Sequence, residues 1–143
     1  MKTRFATFSF VLLLGAIAFA QTAPYNPAAE TSVSGTIRYV ISVVGPDGSV
    51  GVHFELKTAS GPVRVHVAPA VFIGMNNFSF FADDTVAIRG ARVGKGADEA
   101  IWARLVVKDG KTLVLRDDDG TPRWPRATDE DPDGCGISHA PVR

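Results

Sequence analysis

The chain has 143 residues, 15 basic and 15 acidic side chains and 45% hydrophobic residues, a make-up that suits one small globular domain. From Gln21 to Arg116 there are 10 basic and 8 acidic residues and from Asp117 to Arg143 3 basic and 7 acidic, so neither half carries the concentrated basic field that a phosphate-tracking surface needs. Cys135 is the only cysteine, so no intramolecular disulfide can form and stability must come from packing.

At the start, Lys2 and Arg4 precede an apolar run from Phe5 to Phe19, and Ala18-Phe19-Ala20 supplies the small-x-small pattern of a cleavage site. Residues 1–20 are therefore expected to be a secretory signal peptide, cut before Gln21. The run is short of the roughly 20 apolar residues of a spanning helix. No cysteine follows it to take a lipid. Loss of Lys2 and Arg4 would leave 13 basic against 15 acidic residues, a net −2, on a periplasmic or secreted chain.

Residues 21–30 read as a linker, and strands follow almost without interruption. Thr31 to Val44 (TSVSGTIRYVISVV) is rich in β-branched residues, with Val33, Ile37, Tyr39, Ile41 and Val43 on one parity. That parity predicts Tyr39 in the core, and Gly35 is the expected bend or bulge. Gly45-Pro46-Asp47-Gly48 is a turn signal.

Val50 to Ala70 (VGVHFELKTASGPVRVHVAPA) reads as a hairpin with Val50, Val52, Phe54 and Leu56 inside on one arm and Val63, Val65 and Val67 on the other. Two registers satisfy this pattern. One sets His53 opposite His66 and Glu55 opposite Arg64 about an Ala59-Ser60 turn. The other sets Glu55 opposite His66 about Ser60-Gly61, where glycine eases the turn. Both place the histidines on the polar face, and the ordinary expectation is half-exposed imidazoles beside a cross-strand ion pair. Two imidazoles alone are an incomplete zinc shell.

Pro69 to Asn77 predicts a helix of one or two turns, and Phe78-Ser79-Phe80-Phe81 is expected to pack beneath it. Strands follow at Asp84–Val93, Ala100–Lys108 and Lys111–Arg116, the last two about the hairpin dipeptide Asp109-Gly110, with a polar loop at Gly94–Glu99. Trp102 alternates away from Ile101, Ala103 and Leu105, which predicts an outward, exposed ring. The fold class expected is all-β: a small barrel of five to six strands with one short helix between strands 3 and 4.

That order over residues 31–116, with a glycine-bent first strand and ADDTVAIRGARV as a GD-x-V-x-V-x-G-like fourth strand, resembles OB-fold domains. It is most similar to small secreted or periplasmic bacterial ones. Asp83 stands where the fourth-strand pattern usually has glycine. The resemblance implies a ligand surface on strands 2 and 3 and on the loops joining strands 1 to 2 and 4 to 5. Here these are His53, Glu55, Lys57, Arg64 and His66, the loops Gly45–Ser49 and Gly94–Glu99, and Trp102 as an added platform.

Oligonucleotide binding is a poor match, because the hairpin's outward positions carry no aromatic residue and the two loops hold one lysine against three acids. Residues 117–143 read as an acidic, disordered tail. Its D-x-D-x-D-G run, Asp129 to Gly134, opens like a calcium loop, but Ala140 stands where the closing glutamate belongs. Cys135 and His139 form a C-x-x-x-H pair able to join His53 and His66 around a divalent metal.

No catalytic constellation emerges. The functional expectation is a non-catalytic binding or accessory module for an unidentified small molecule or envelope protein. Metal binding is the alternative and oligonucleotide binding the third option.

Overall fold

Alternating β-branched and polar residues form the first and longest strand, β1 (Glu30–Val44), preceded by a 3-10 turn at Pro27–Ala29 that the Asn26 side chain caps. The computed structural model describes residues 25–45 and 48–125. The signal sequence expected at 1–20, the 21–24 part of the linker, and Cys135 and His139 lie outside the described residues.

After β1 come β2 (Val50–Thr58) and β3 (Gly61–Pro69), then the short helix α1 (Ala70–Met75), then β4 (Thr85–Val93), β5 (Ala100–Lys108) and β6 (Lys111–Val114). The helix lies between strands 3 and 4, with Pro69 at its N-cap position. Strand order is β3-β2-β1-β4-β5-β6, and a parallel pairing of β3 with β5 (Val65 with Ile101, His66 with Trp102) closes five strands into a barrel. β6 is the extra strand, paired antiparallel with the end of β5. The β5–β6 connection is the expected Asp109-Gly110 turn, with φ of 51° and 72°, as a type I′ turn requires.

Inside the barrel lie Ile37, Phe54, Leu56, Val65, Val67, Val86, Ile88, Ile101, Val106 and Leu115, all but sealed from solvent. Each such side chain contributes roughly 1.5–3 kcal/mol relative to exposure, so this cluster outweighs the surface ion pairs. Phe80 packs on Phe54 and Phe78, as expected of an aromatic run beneath the helix, whereas Phe81 lies outside with the Lys108 ammonium 5.5 Å from its ring centroid.

Two details of β1 correct the sequence reading. The bulge falls between Ile37 and Tyr39, with Arg38 as the extra residue, and not at Gly35. An added residue reverses the parity beyond it, so Val40 turns toward the core while Tyr39 and Ile41 point outward and are exposed. Tyr39 is thus a surface residue. Gly35 serves the other part of the expectation, the bend. A Cβ there would stand 2.4 Å from the Lys57 carbonyl oxygen, so only glycine lets β1 bend this close to the end of β2.

Asp83 has φ of 71°, in the left-handed region that glycine adopts most readily. Its backbone N–H donates to the Ile37 carbonyl at 2.8 Å and ties the entry of β4 to the bulge of β1.

Candidate functional site

The β2–β3 hairpin adopts the register that sets His53 opposite His66 and Glu55 opposite Arg64, with Ala59-Ser60 as the tight turn. Gly61 takes φ of 115° just after that turn, so its freedom serves the exit and not the turn itself. The Thr58 hydroxyl closes the loop by donating to the Gly61 carbonyl at 2.6 Å. A second bulge between Val52 and His53 separates this register from the hairpin's open end.

Strand pairing lines up a row across the outer surface: Ile41 on β1, His53 on β2, His66 on β3 and Trp102 on β5. The imidazoles meet edge to face with centroids 4.3 Å apart, and His66 stacks on Trp102 at 6.2 Å and 25°. The expectation of half-exposed histidines is corrected in part, since His53 is 5% exposed and His66 half-buried. Ile41 stands on one side of the pair and the Trp102 ring on the other.

Trp102 points outward as predicted, yet it is buried. Its cover comes from the chain beyond β6. Arg116, 3% exposed, places its guanidinium 5.3 Å from each of the Tyr25, Trp102 and Trp124 ring centroids, and its Nη1 donates to the Gly120 carbonyl at 3.1 Å. Stacking on three rings and a carbonyl partner offset the removal of this cation from water. Residues 117–125, allotted to the tail from sequence, fold back through an Arg116–Pro122 bridge, and Trp124 packs on Phe72 of α1. The rest of that segment lies outside the described residues.

Glu30 fastens the same side of the barrel. Its carboxylate accepts from Arg104 and from the Tyr25 hydroxyl (2.7 Å) through Oε1, and from Arg89 (2.7 Å) through Oε2; Arg104 also reaches Asp118 at 3.0 Å. Burial alone would raise this carboxyl, but the bonds from Arg104, Tyr25 and Arg89 outweigh it and hold the group down at about 2. The Tyr25 phenol moves up in return, through burial and then its bond to Glu30.

The surface of β1, β2 and β3 next to the row is open by contrast. Tyr39, Arg38, Lys57 and Arg64 are exposed around Glu55, which accepts from the Tyr39 hydroxyl and the Arg38 guanidinium, each at 2.6 Å. The bond from Tyr39, then the Arg38 charge, lower the Glu55 carboxyl. Arg64 Nη1 donates to the Ala97 carbonyl at 3.4 Å and joins this face to the loop between β4 and β5.

Of the expected ligand residues, Glu55, Lys57 and Arg64 thus share an open face, while in the row beside it His53 and Trp102 are buried and His66 is half-buried. Tyr39 is a surface aromatic that sequence parity hides, and no parity argument reveals it without the bulge. Arg116 and Trp124 escape sequence reasoning because the rings they meet, Tyr25, Trp102 and Phe72, come from other segments of the chain. Among the described residues no three His, Cys, Asp or Glu side chains converge on a metal position. No described helix is long and apolar enough to cross a membrane.

Comparison with known proteins supplies a family. The model of the MamS/MamX magnetosome protein family matches residues 29–113, more than half of the chain. Magnetosome protein MamS of Magnetospirillum gryphiswaldense is 27% identical over 103 residues, which cover 71% of this chain and 57% of that protein. The chain therefore aligns with little over half the length of this relative. Two solved structures of TiaS, one in complex with a tRNA and ATP and one a ZRD-deleted mutant with agmatine, are 17% and 16% identical. They align with 55% and 57% of the chain, and with 18% and 22% of their own, at TM-scores of 0.37 and 0.39; such values carry no argument.

Proposed function

The chain belongs to the MamS/MamX magnetosome protein family, and from that premise we propose that it is a non-catalytic accessory module that docks a protein partner on the outer β1–β2–β3 face of an OB-type barrel. The observation that carries this reading is the asymmetry of the barrel surface. The β5 side is closed by Arg116, Trp124 and the Glu30 cluster, whereas Tyr39, Arg38, Lys57 and Arg64 stand open for contact. An aromatic ring set among arginines is the composition of an interface anchor. The N-terminal sequence supports export to the periplasm or beyond, with cleavage after Ala20.

A photo-crosslinking side chain at Lys57 or Arg64, introduced in cells, is expected to capture one heterologous protein. The same group at Lys111, on β6, is expected to capture none. Equal capture from all three positions, or none from the hairpin, would refute the docking face.

A second reading, divalent metal binding, is supported by the register that brings the two imidazoles together. His53 and His66 would supply two ligands and Cys135 and His139 two more, the donor set of a tetrahedral soft-metal site. Native mass spectra of chain purified without chelator test it. A stoichiometric metal mass that EDTA removes, and that the His53→Ala, His66→Ala double variant lacks, supports the site; a bare mass rules it out.

A further inference from the structure

β4 accompanies β1 only from Glu30 to Thr36, and a last pair of backbone bonds joins Ile37 to Asp83 and Asp84. From Arg38 to Val44, β2 lines one edge of β1. Among the described residues no strand pairs with the other edge of this half. Alternate N–H and C=O groups of a strand point to opposite sides, so this edge carries an unused ladder.

The sequence along that edge is Arg38-Tyr-Val-Ile-Ser-Val-Val44. It has no proline, and after Arg38 no charge; the one bulge lies at its start. None of the usual devices that blunt an edge strand is present in residues 39–44. Among the described residues, three of the six exposed large hydrophobic ones, Tyr39, Ile41 and Val44, lie on this half-strand, at 43%, 39% and 67% exposure.

We infer that residues 38–44 of β1 pair antiparallel with the same segment of a second copy, on a two-fold axis through Ile41. The sequence is self-complementary in this register, which engages all seven residues. Tyr39 of each copy faces Val43 of the other, Ile41 faces Ile41, and Val40 faces Ser42, so the outward row meets apolar against apolar. The two Arg38 side chains stand at opposite ends of the ladder, roughly 20 Å apart at 3.4 Å per residue, each already beside its own Glu55. No like charges meet. A one-residue slip would set the outward row of one copy against the inward row of the other. One strand pair is smaller than a standard interface, so the dimer is expected to be reversible and concentration-dependent. This contact uses the strand edge and does not rest on the docking of a partner to the hairpin face.

The test uses the full chain with Cys135→Ser, which removes the only native thiol. Sedimentation velocity over a hundredfold concentration range is expected to show a monomer–dimer equilibrium, weakened at least tenfold by Ile41→Lys with an unchanged melting temperature. Added to that background, Ile41→Cys is expected to oxidise to a covalent homodimer, because residues facing each other across an antiparallel pair have Cα atoms about 4.5–5.5 Å apart, within disulfide reach. Tyr39→Cys or Val43→Cys alone is expected not to cross-link, whereas a mixture of the two gives the heterodimer. A monomer at every concentration, or a dimer that Ile41→Cys fails to trap, would overturn the inference. Heterologous capture at Lys57 or Arg64 would be unaffected by that failure.

Discussion

Glu30 concentrates more of the outer surface's electrostatics than any other side chain described, since one carboxylate holds Arg89, Arg104 and Tyr25. Its folded-state value of about 2 lies below the ordinary 4.5, so its stabilisation is fully present above about pH 4.5 and is lost as pH falls toward 2. The expected loss is roughly 3 kcal/mol, read as a falling urea midpoint across that window. Glu30→Gln should lower the midpoint at neutral pH and flatten the acid slope. At Asp83 the backbone has φ of 71°, so Asp83→Val should lower stability by about 1–2 kcal/mol while Asp83→Gly is neutral or better. A thermal melt separates them, and equal melting temperatures would refute the backbone argument.

At the scale of elements, β1 shows how far periodicity reaches. Residues 31–44 are recognisably a strand from their β-branched content, and its glycine marks the half in which the chain bends. The face of Tyr39 is not legible, because one extra residue at Arg38 reverses the alternation and a bulge is set by what the neighbouring strands demand. Parity narrows the hairpin register to two choices. The structure takes the one in which Phe54 faces Val65 and Leu56 faces Val63, a choice that parity leaves open because both registers set apolar against apolar. Gly35→Ala tests the approach of β1 to β2: its Cβ would press on the Lys57 carbonyl, part of a paired strand with little room to yield. The expected cost is about 2–3 kcal/mol by urea denaturation, and an unchanged midpoint would show that β1 can shift.

For the whole molecule, the segment after β6 decides which part of the barrel is accessible. Trp124 reaches both Phe72 on α1 and the Arg116 guanidinium, which in turn covers Trp102. Trp124→Ala should lower stability by about 3–5 kcal/mol. It should also make the remaining tryptophan, Trp102, more accessible to acrylamide, measured by fluorescence quenching at a temperature where the barrel stays folded. Unchanged quenching would mean that Arg116 and Tyr25 suffice to cover Trp102. The Glu30 cluster reinforces the cover through Arg104 and Asp118, although Asp118 is fully exposed and adds little.

The sequence by itself determined that the chain is all-β, where its strands run, that a short helix separates the third from the fourth, and which hairpin would carry His53 and His66. Those properties follow from local alternation, turn chemistry and β-branched content, which act over a few residues. Only the tertiary structure decided that Tyr39 faces solvent, that Trp102 does not, and that Arg116 sits among three rings. Each of these depends on a contact between segments far apart in sequence or on a single added residue that reverses a face. Barrel closure through β3 and β5 belongs with them, because it brings residues 65–66 beside 101–102 and no local pattern specifies that pairing.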